Sequence, residues 1–204
     1  MPDALVRFAT PKHWHDWLAK HHASMTDGVW LELAKKSASF STVTYAEALE
    51  VALCWGWIDG QKGAIDEHRW KQRFTPRRER SIWSKVNRAK AEALIADGRM
   101  QPSGLHEVTR AKADGRWERA YDSPKNAKVP DDLALALSKS PKAKALFEAL
   151  DATNRFAILF RITNVKKADT RARKIAEFVA GLAKGEVPYP DRLPKKKPAQ
   201  QKDK

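Results

Sequence analysis

Thr44-Tyr45-Ala46-Glu47 fixes the start of a helix. A threonine at the N-cap with a glutamate three residues later makes a reciprocal capping box. The residues that follow place Tyr45, Ala48, Leu49, Ala52 and Leu53 on one stripe at helical spacing. Such a stripe has to be buried against another element, so the chain must build a core around this helix. Thr10-Pro11 marks a second start, followed by Trp14, Trp17, Leu18 and His21, which predicts a helix over about Pro11 to Ser24. Between the two helices, Asp27-Gly28 is a turn signal and Val29 to Leu33 reads as a short apolar strand.

Trp55-Gly56-Trp57-Ile58-Asp59-Gly60 breaks the capped helix, and Gly63 to Thr75 holds one or two short strands with Ile65, Trp70 and Phe74 as apolar members, ended by Pro76. Ser81 or Ser84 caps the next helix, whose stripe runs from Ile82 through Val86, Ala89 and Ala93 to Leu94. A further helix runs from about Pro102 to Ala113 and stops at Asp114-Gly115. Residues 121–130 contain two prolines and read as a linker. Beyond them three or four short amphipathic helices are expected, and after Pro188 the composition turns to Pro, Lys and Gln, as in disordered segments. The expected fold is α+β and predominantly helical. Residues 1–120 carry a small antiparallel sheet, 121–130 are a linker, 131–190 a helical part and 191–204 a disordered Lys-rich tail.

The chain is 42% hydrophobic and 31% charged, and no apolar run approaches the roughly 18 residues of a membrane span. One cysteine excludes an internal disulfide, and the first residues lack a basic segment followed by an apolar one, so a cytoplasmic protein is expected. The net charge of +14 is localised. Arg69 to Lys90 holds nine basic residues against Glu79, a local +8, and Arg192 to Lys204 holds six against Asp203, a local +5. A field concentrated in this way suits an anionic partner, whether a small molecule, a nucleic acid or an acidic protein.

Within Trp55 to Asn87 the basic residues are interleaved with indoles. Guanidinium groups bind phosphate or carboxylate through two hydrogen bonds, and indoles stack on bases and sugars. Trp55, Trp57, Asp59, Arg73, Arg77, Trp83 and Asn87 are therefore the candidate ligand-binding residues. The same pattern also fits tryptophans anchoring a core with arginines packed over them. Asp59, between Trp57-Ile58 and Gly60, is either an acid or base or the partner of an arginine such as Arg73 or Arg77. Lys166, Lys167, Arg171 and Arg173, with Lys174, lie around the start of the last helix, which the sequence caps at Asp169; they form a second anion surface or pair with Glu148 and Glu177. His13, His15, His21 and His22 lack the three- or four-residue spacing of helical metal ligands, so no metal is expected. Cys54 ends an apolar stripe and reads as a buried small hydrophobe. With no glycine-rich phosphate loop, nucleophile elbow or zinc-finger spacing, no cofactor is expected and a binding protein is favoured over an enzyme.

Ala52-Leu53-Cys54-Trp55-Gly56-Trp57-Ile58-Asp59-Gly60, Arg73-Phe74-Thr75-Pro76-Arg77 and Ser81-Ile82-Trp83-Ser84-Lys85-Val86-Asn87 resemble segments of the bacterial YdeI/OmpD-associated, or bacteriocin-protection, family. Gly98-Arg99-Met100, Ala113 to Trp117 with Ala120-Tyr121, and Thr170 to Ile175 extend the resemblance over about Phe8 to Pro190. It implies a link to an outer-membrane porin and to tolerance of bacteriocins or cationic antimicrobial peptides, and it implies no catalytic residues. A strongly basic chain repels a cationic peptide, so an intracellular or regulatory contribution to envelope tolerance fits better than direct capture. Binding of an anionic ligand is the leading expectation. The alternatives are nucleic-acid binding and an enzyme acting on a small phosphorylated or carboxylated substrate through Asp59 and Arg77.

Overall fold

The computed structural model describes residues 5–192. In it the Thr44 side chain accepts the Glu47 amide at 3.3 Å while the Glu47 carboxylate accepts the Thr44 amide at 2.9 Å, so both halves of the capping box are made. That amide, together with the Thr44 hydroxyl, holds the Glu47 carboxyl below its ordinary range. The chain divides into two compact units, Met1–Ala120 and Tyr121–Lys204.

The first unit contains β1 (Leu5–Val6), α1 (Pro11–His21), β2 (Val29–Ala34), α2 (Tyr45–Cys54), β3 (Trp57–Ala64), β4 (Arg69–Pro76), α3 (Lys85–Ala96) and α4 (Pro102–Ala113). The sheet order is β1-β2-β4-β3; β2, β4 and β3 are antiparallel, and the two-residue β1 adds a parallel edge. Helix α1 is shorter than the sequence predicts, because after the His22 amide bonds the Leu18 carbonyl the chain turns toward Gly28. Gly28 has φ +81°, and a Cβ there would fall on the Phe74 carbonyl oxygen, so glycine is required at this turn. Ser84, not Ser81, caps α3, accepting the Asn87 amide at 3.1 Å.

The break expected over Trp55 to Gly60 is confined to Trp55 and Gly56. Gly56 takes φ +74°, the Arg77 amide bonds its carbonyl at 3.0 Å, and β3 starts at once with Trp57. The turn between β3 and β4 is built by Asp66, whose Oδ1 accepts the amides of His68 at 2.9 Å and Arg69 at 2.8 Å. The core of this unit lies between the sheet and its helices and includes Trp14, Leu18, Leu31, Leu33, Leu53, Trp57, Phe74 and Trp83.

The second unit contains α5 (Asp131–Ser138), α6 (Pro141–Ala149), α7 (Ala152–Thr163), α8 (Ala168–Ala183) and a short 3-10 turn over Pro190–Arg192. Its own core gathers Leu133, Leu137, Phe147, Ile158, Ile162, Ile175 and Leu182. Of the tail expected to be disordered over 191–204, Asp191 and Arg192 belong to the 3-10 turn, and residues 193–204 lie outside the described residues. Among the described residues no helix is long and apolar enough to cross a membrane.

Candidate functional site

Strand alternation sorts the tryptophan- and arginine-rich tract onto two faces. The register pairs Val29 with Phe74, Leu31 with Gln72 and Leu33 with Trp70, and these residues point toward the helices. Trp30, opposite Arg73, and Glu32, opposite Lys71, point the other way, where Arg69 is also found. This outward face contributes none of the buried hydrophobic residues of the core. Its center is Trp30: the Lys71 ammonium lies 4.4 Å and the Arg73 guanidinium 6.0 Å from its ring centroid. Glu32, 6% exposed, is ion-paired with Arg7, and Arg69 lies 3.6 Å away while also pairing with Asp66. Lys71 and Arg73 have no carboxylate partner among the described residues; Arg73 donates to the Asp27 carbonyl at 3.0 Å.

The seven candidate residues therefore do not converge. Trp57 and Trp83 are each 1% exposed and belong to the core. Trp55 is half-buried at the end of α2, with His22 at 4.6 Å and His15 at 5.3 Å between ring centroids. His15 lies on α1 and His22 at its C-cap, and both pack on the Trp55 indole; among the described residues no group fit to hold a metal occurs. Arg77, 6% exposed, packs its guanidinium 3.5 Å from the Trp83 ring centroid and donates to the Ile82 carbonyl at 3.3 Å. Arg116, paired with Asp114, donates to the Ser81 carbonyl at 2.7 Å. The two arginines pin the Arg78 to Ser84 loop. Asn87 is half-buried in the first turn of α3. Arg73 alone of the seven joins the outward face.

Asp59 lies on the helix-facing side, opposite Phe74, in an open cleft of about 570 Å³ lined by Tyr45, Asp59, Gly60, Lys62, Trp70 and Gln72. Its carboxylate accepts the Tyr45 hydroxyl at 2.8 Å, not Arg73 or Arg77, and forms no ion pair among the described residues. Arg77 does not line this cleft, whose cation is Lys62. No histidine, thiol or second carboxylate lines it either. Trp30 and Lys71 on one face, and Tyr45, Lys62, Trp70 and Gln72 on the other, are absent from the sequence-based list. Period-two alternation was the signal for them, but reading it requires the strand register.

Two family models match the chain in succession. Residues 6–107 match a domain of unknown function (DUF8412). Residues 126–185 match the family described as bacteriocin-protection, YdeI or OmpD-associated. The first match spans half of the chain, which belongs to the DUF8412 family, and the second is a partial match to the bacteriocin-protection, YdeI or OmpD-associated family. No curated protein and no solved structure matches it.

The segment matching the bacteriocin-protection family contains the second set of candidate cations. Arg171 is committed to structure: it makes two hydrogen bonds to Asp132, at 2.6 and 2.9 Å, and one to the Ile162 carbonyl at 2.8 Å, joining α8 to α5 and α7. Arg173 lies 3.8 Å from Glu177, whereas Glu148 lies beside Lys144. Helix α8 begins two positions earlier than the sequence predicts, with Lys167 at the N-cap and Asp169 in the first turn. Lys166 and Lys167 are exposed. Cys54 is buried, and burial pushes its thiol pKa up.

Proposed function

We propose that the protein is a non-enzymatic binder of an anionic ligand, received on the outward face of the four-stranded sheet. Within the bacteriocin-protection, YdeI or OmpD-associated family this binding contributes to envelope or antimicrobial tolerance. The reading is supported by one observation above the others: Lys71 and Arg73 flank Trp30 and hold no carboxylate among the described residues. The indole offers a stacking platform, and the two cations are placed to contact phosphates on either side of a stacked ring. Arg7 and Arg69 are partly neutralised by Glu32 and set the edge of the patch.

The alternative of an enzyme using Asp59 and Arg77 gains from the concave setting of Asp59 and loses from Arg77, which packs under the Arg78 to Ser84 loop. Titration of the full chain with inorganic phosphate, single-stranded DNA and RNA, followed by tryptophan fluorescence across a salt series, tests the proposal. It predicts saturable binding that weakens with salt, with DNA and RNA above phosphate. Absence of salt-dependent binding to all three probes refutes it. Binding of phosphate alone would retain the anion site and exclude a nucleic acid.

A further inference from the structure

The Asp59 cleft opens on the opposite face from the cationic patch and has different chemistry. We propose that it binds a small zwitterionic amine, whose ammonium sits against Asp59 between the rings of Tyr45 and Trp70 and whose anionic group faces Lys62. In a chain of net charge +14, Asp59 is a half-buried carboxylate with no ion pair among the described residues. One of its oxygens accepts the Tyr45 hydroxyl, which fixes its orientation and leaves the other available to a donor. The Tyr45 and Trp70 rings stand 6.1 Å apart at 48°, forming a two-walled aromatic corner beside that carboxylate. Ring faces next to a carboxylate are the surroundings that recognise an ammonium group.

The backbone has been shaped to assemble this lining. Asp59 and Lys62 are three residues apart and in a regular strand would point to opposite faces. The register shift between them, from Asp59 opposite Phe74 to Lys62 opposite Gln72, inserts an extra residue and brings both to one side. The bulge is pinned from below by Gln72, 3% exposed, whose amide nitrogen donates to the carbonyls of Gly60 at 2.9 Å and Gln61 at 3.1 Å. A bare amine meets repulsion from Lys62, whereas a ligand carrying both charges satisfies both ends.

The inference does not depend on the anion-binding reading, and its test uses different residues. The full chain is titrated with γ-aminobutyrate, butylammonium and butyrate while the Trp70 indole N–H is followed by ¹H–¹⁵N NMR, assigned with Trp70→Phe. γ-Aminobutyrate is expected to give a saturable millimolar shift, butylammonium a weaker one and butyrate none. Asp59→Asn preserves an acceptor for Tyr45 and is expected to weaken γ-aminobutyrate by about tenfold or more. Lys62→Gln should reduce γ-aminobutyrate to the level of butylammonium. The proposal is overturned if no amine gives a saturable shift, if butyrate matches γ-aminobutyrate, or if the shift survives Asp59→Asn. The remaining indole signals, unchanged in each variant, establish that the fold is intact.

Discussion

Replacing Trp83 separates a core role from a binding role for the indole at the heart of the tract. The side chain is 1% exposed, and a buried tryptophan removes about 150–250 Å² from water. At ~25 cal/mol per Å² that is about 4–6 kcal/mol, and aromatic-to-alanine changes in cores cost ~3–5 kcal/mol. Trp83 also meets Trp117 edge-on at 4.8 Å and carries the Arg77 guanidinium on its face, so truncation leaves a buried cation without its π partner. Trp83→Ala is therefore expected to lose at least about 4 kcal/mol, a large part of the ~5–15 kcal/mol of a typical domain. Trp83→Phe provides the measurable case. The indole N–H has no acceptor among the described residues, so phenylalanine forfeits volume but no hydrogen bond, at about 1–2 kcal/mol. Urea unfolding followed by far-ultraviolet circular dichroism gives both values. A Trp83→Ala protein within about 0.5 kcal/mol of the parent, the range of ordinary surface changes, would refute the core assignment.

Three further outcomes follow from local geometry. Gly104→Ala should lower the melting temperature, because a Cβ on α4 would strike the Cys54 carbonyl oxygen and the Met100 sulfur; an unchanged melt would contradict the α2 to α4 packing. The Arg69 guanidinium and the His68 amide hold the Asp66 carboxyl down to about 2. A depressed carboxylate contributes stability above its unfolded pKa and loses it as pH falls through the folded one, so the turn between β3 and β4 should loosen between about pH 3.9 and 2. NMR titration of the Asp66 carboxyl in the parent and in Arg69→Gln, where the midpoint should rise, checks this. Cys54 should react with a thiol reagent only as fast as the first unit opens, and rapid labelling of the folded chain would contradict its burial.

What the sequence discloses is what neighbouring residues decide among themselves. Thr44 with Glu47 and Thr10 with Pro11 cap helices through contacts within a few positions, and those starts can be read directly, whereas the choice of Ser84 over Ser81 for α3 is made by the structure. The hairpin of β3 and β4 is obscured because Gly60, Gly63 and a run of charged residues dilute the alternation, while the pairing that stabilises it comes from β2. The candidate site is hidden for the same reason. Arg73 and Phe74 are adjacent in sequence but face opposite ways, and the bulge after Asp59 reverses the expectation for Lys62. Density of arginine and tryptophan singles out this tract, yet Trp57 and Trp83 are core, Arg77 covers Trp83, and the indole beside Arg73 is Trp30, more than forty residues earlier.

The central claim, an anion site on the outward face of the sheet, is tested most directly by the salt dependence of single-stranded DNA binding in Lys71→Gln/Arg73→Gln. Each phosphate contact contributes about 0.7 to the slope of log affinity against log salt, so losing both cations should flatten the slope by about 1.4 and weaken binding. An unchanged slope and affinity in a variant that remains folded would contradict the claim.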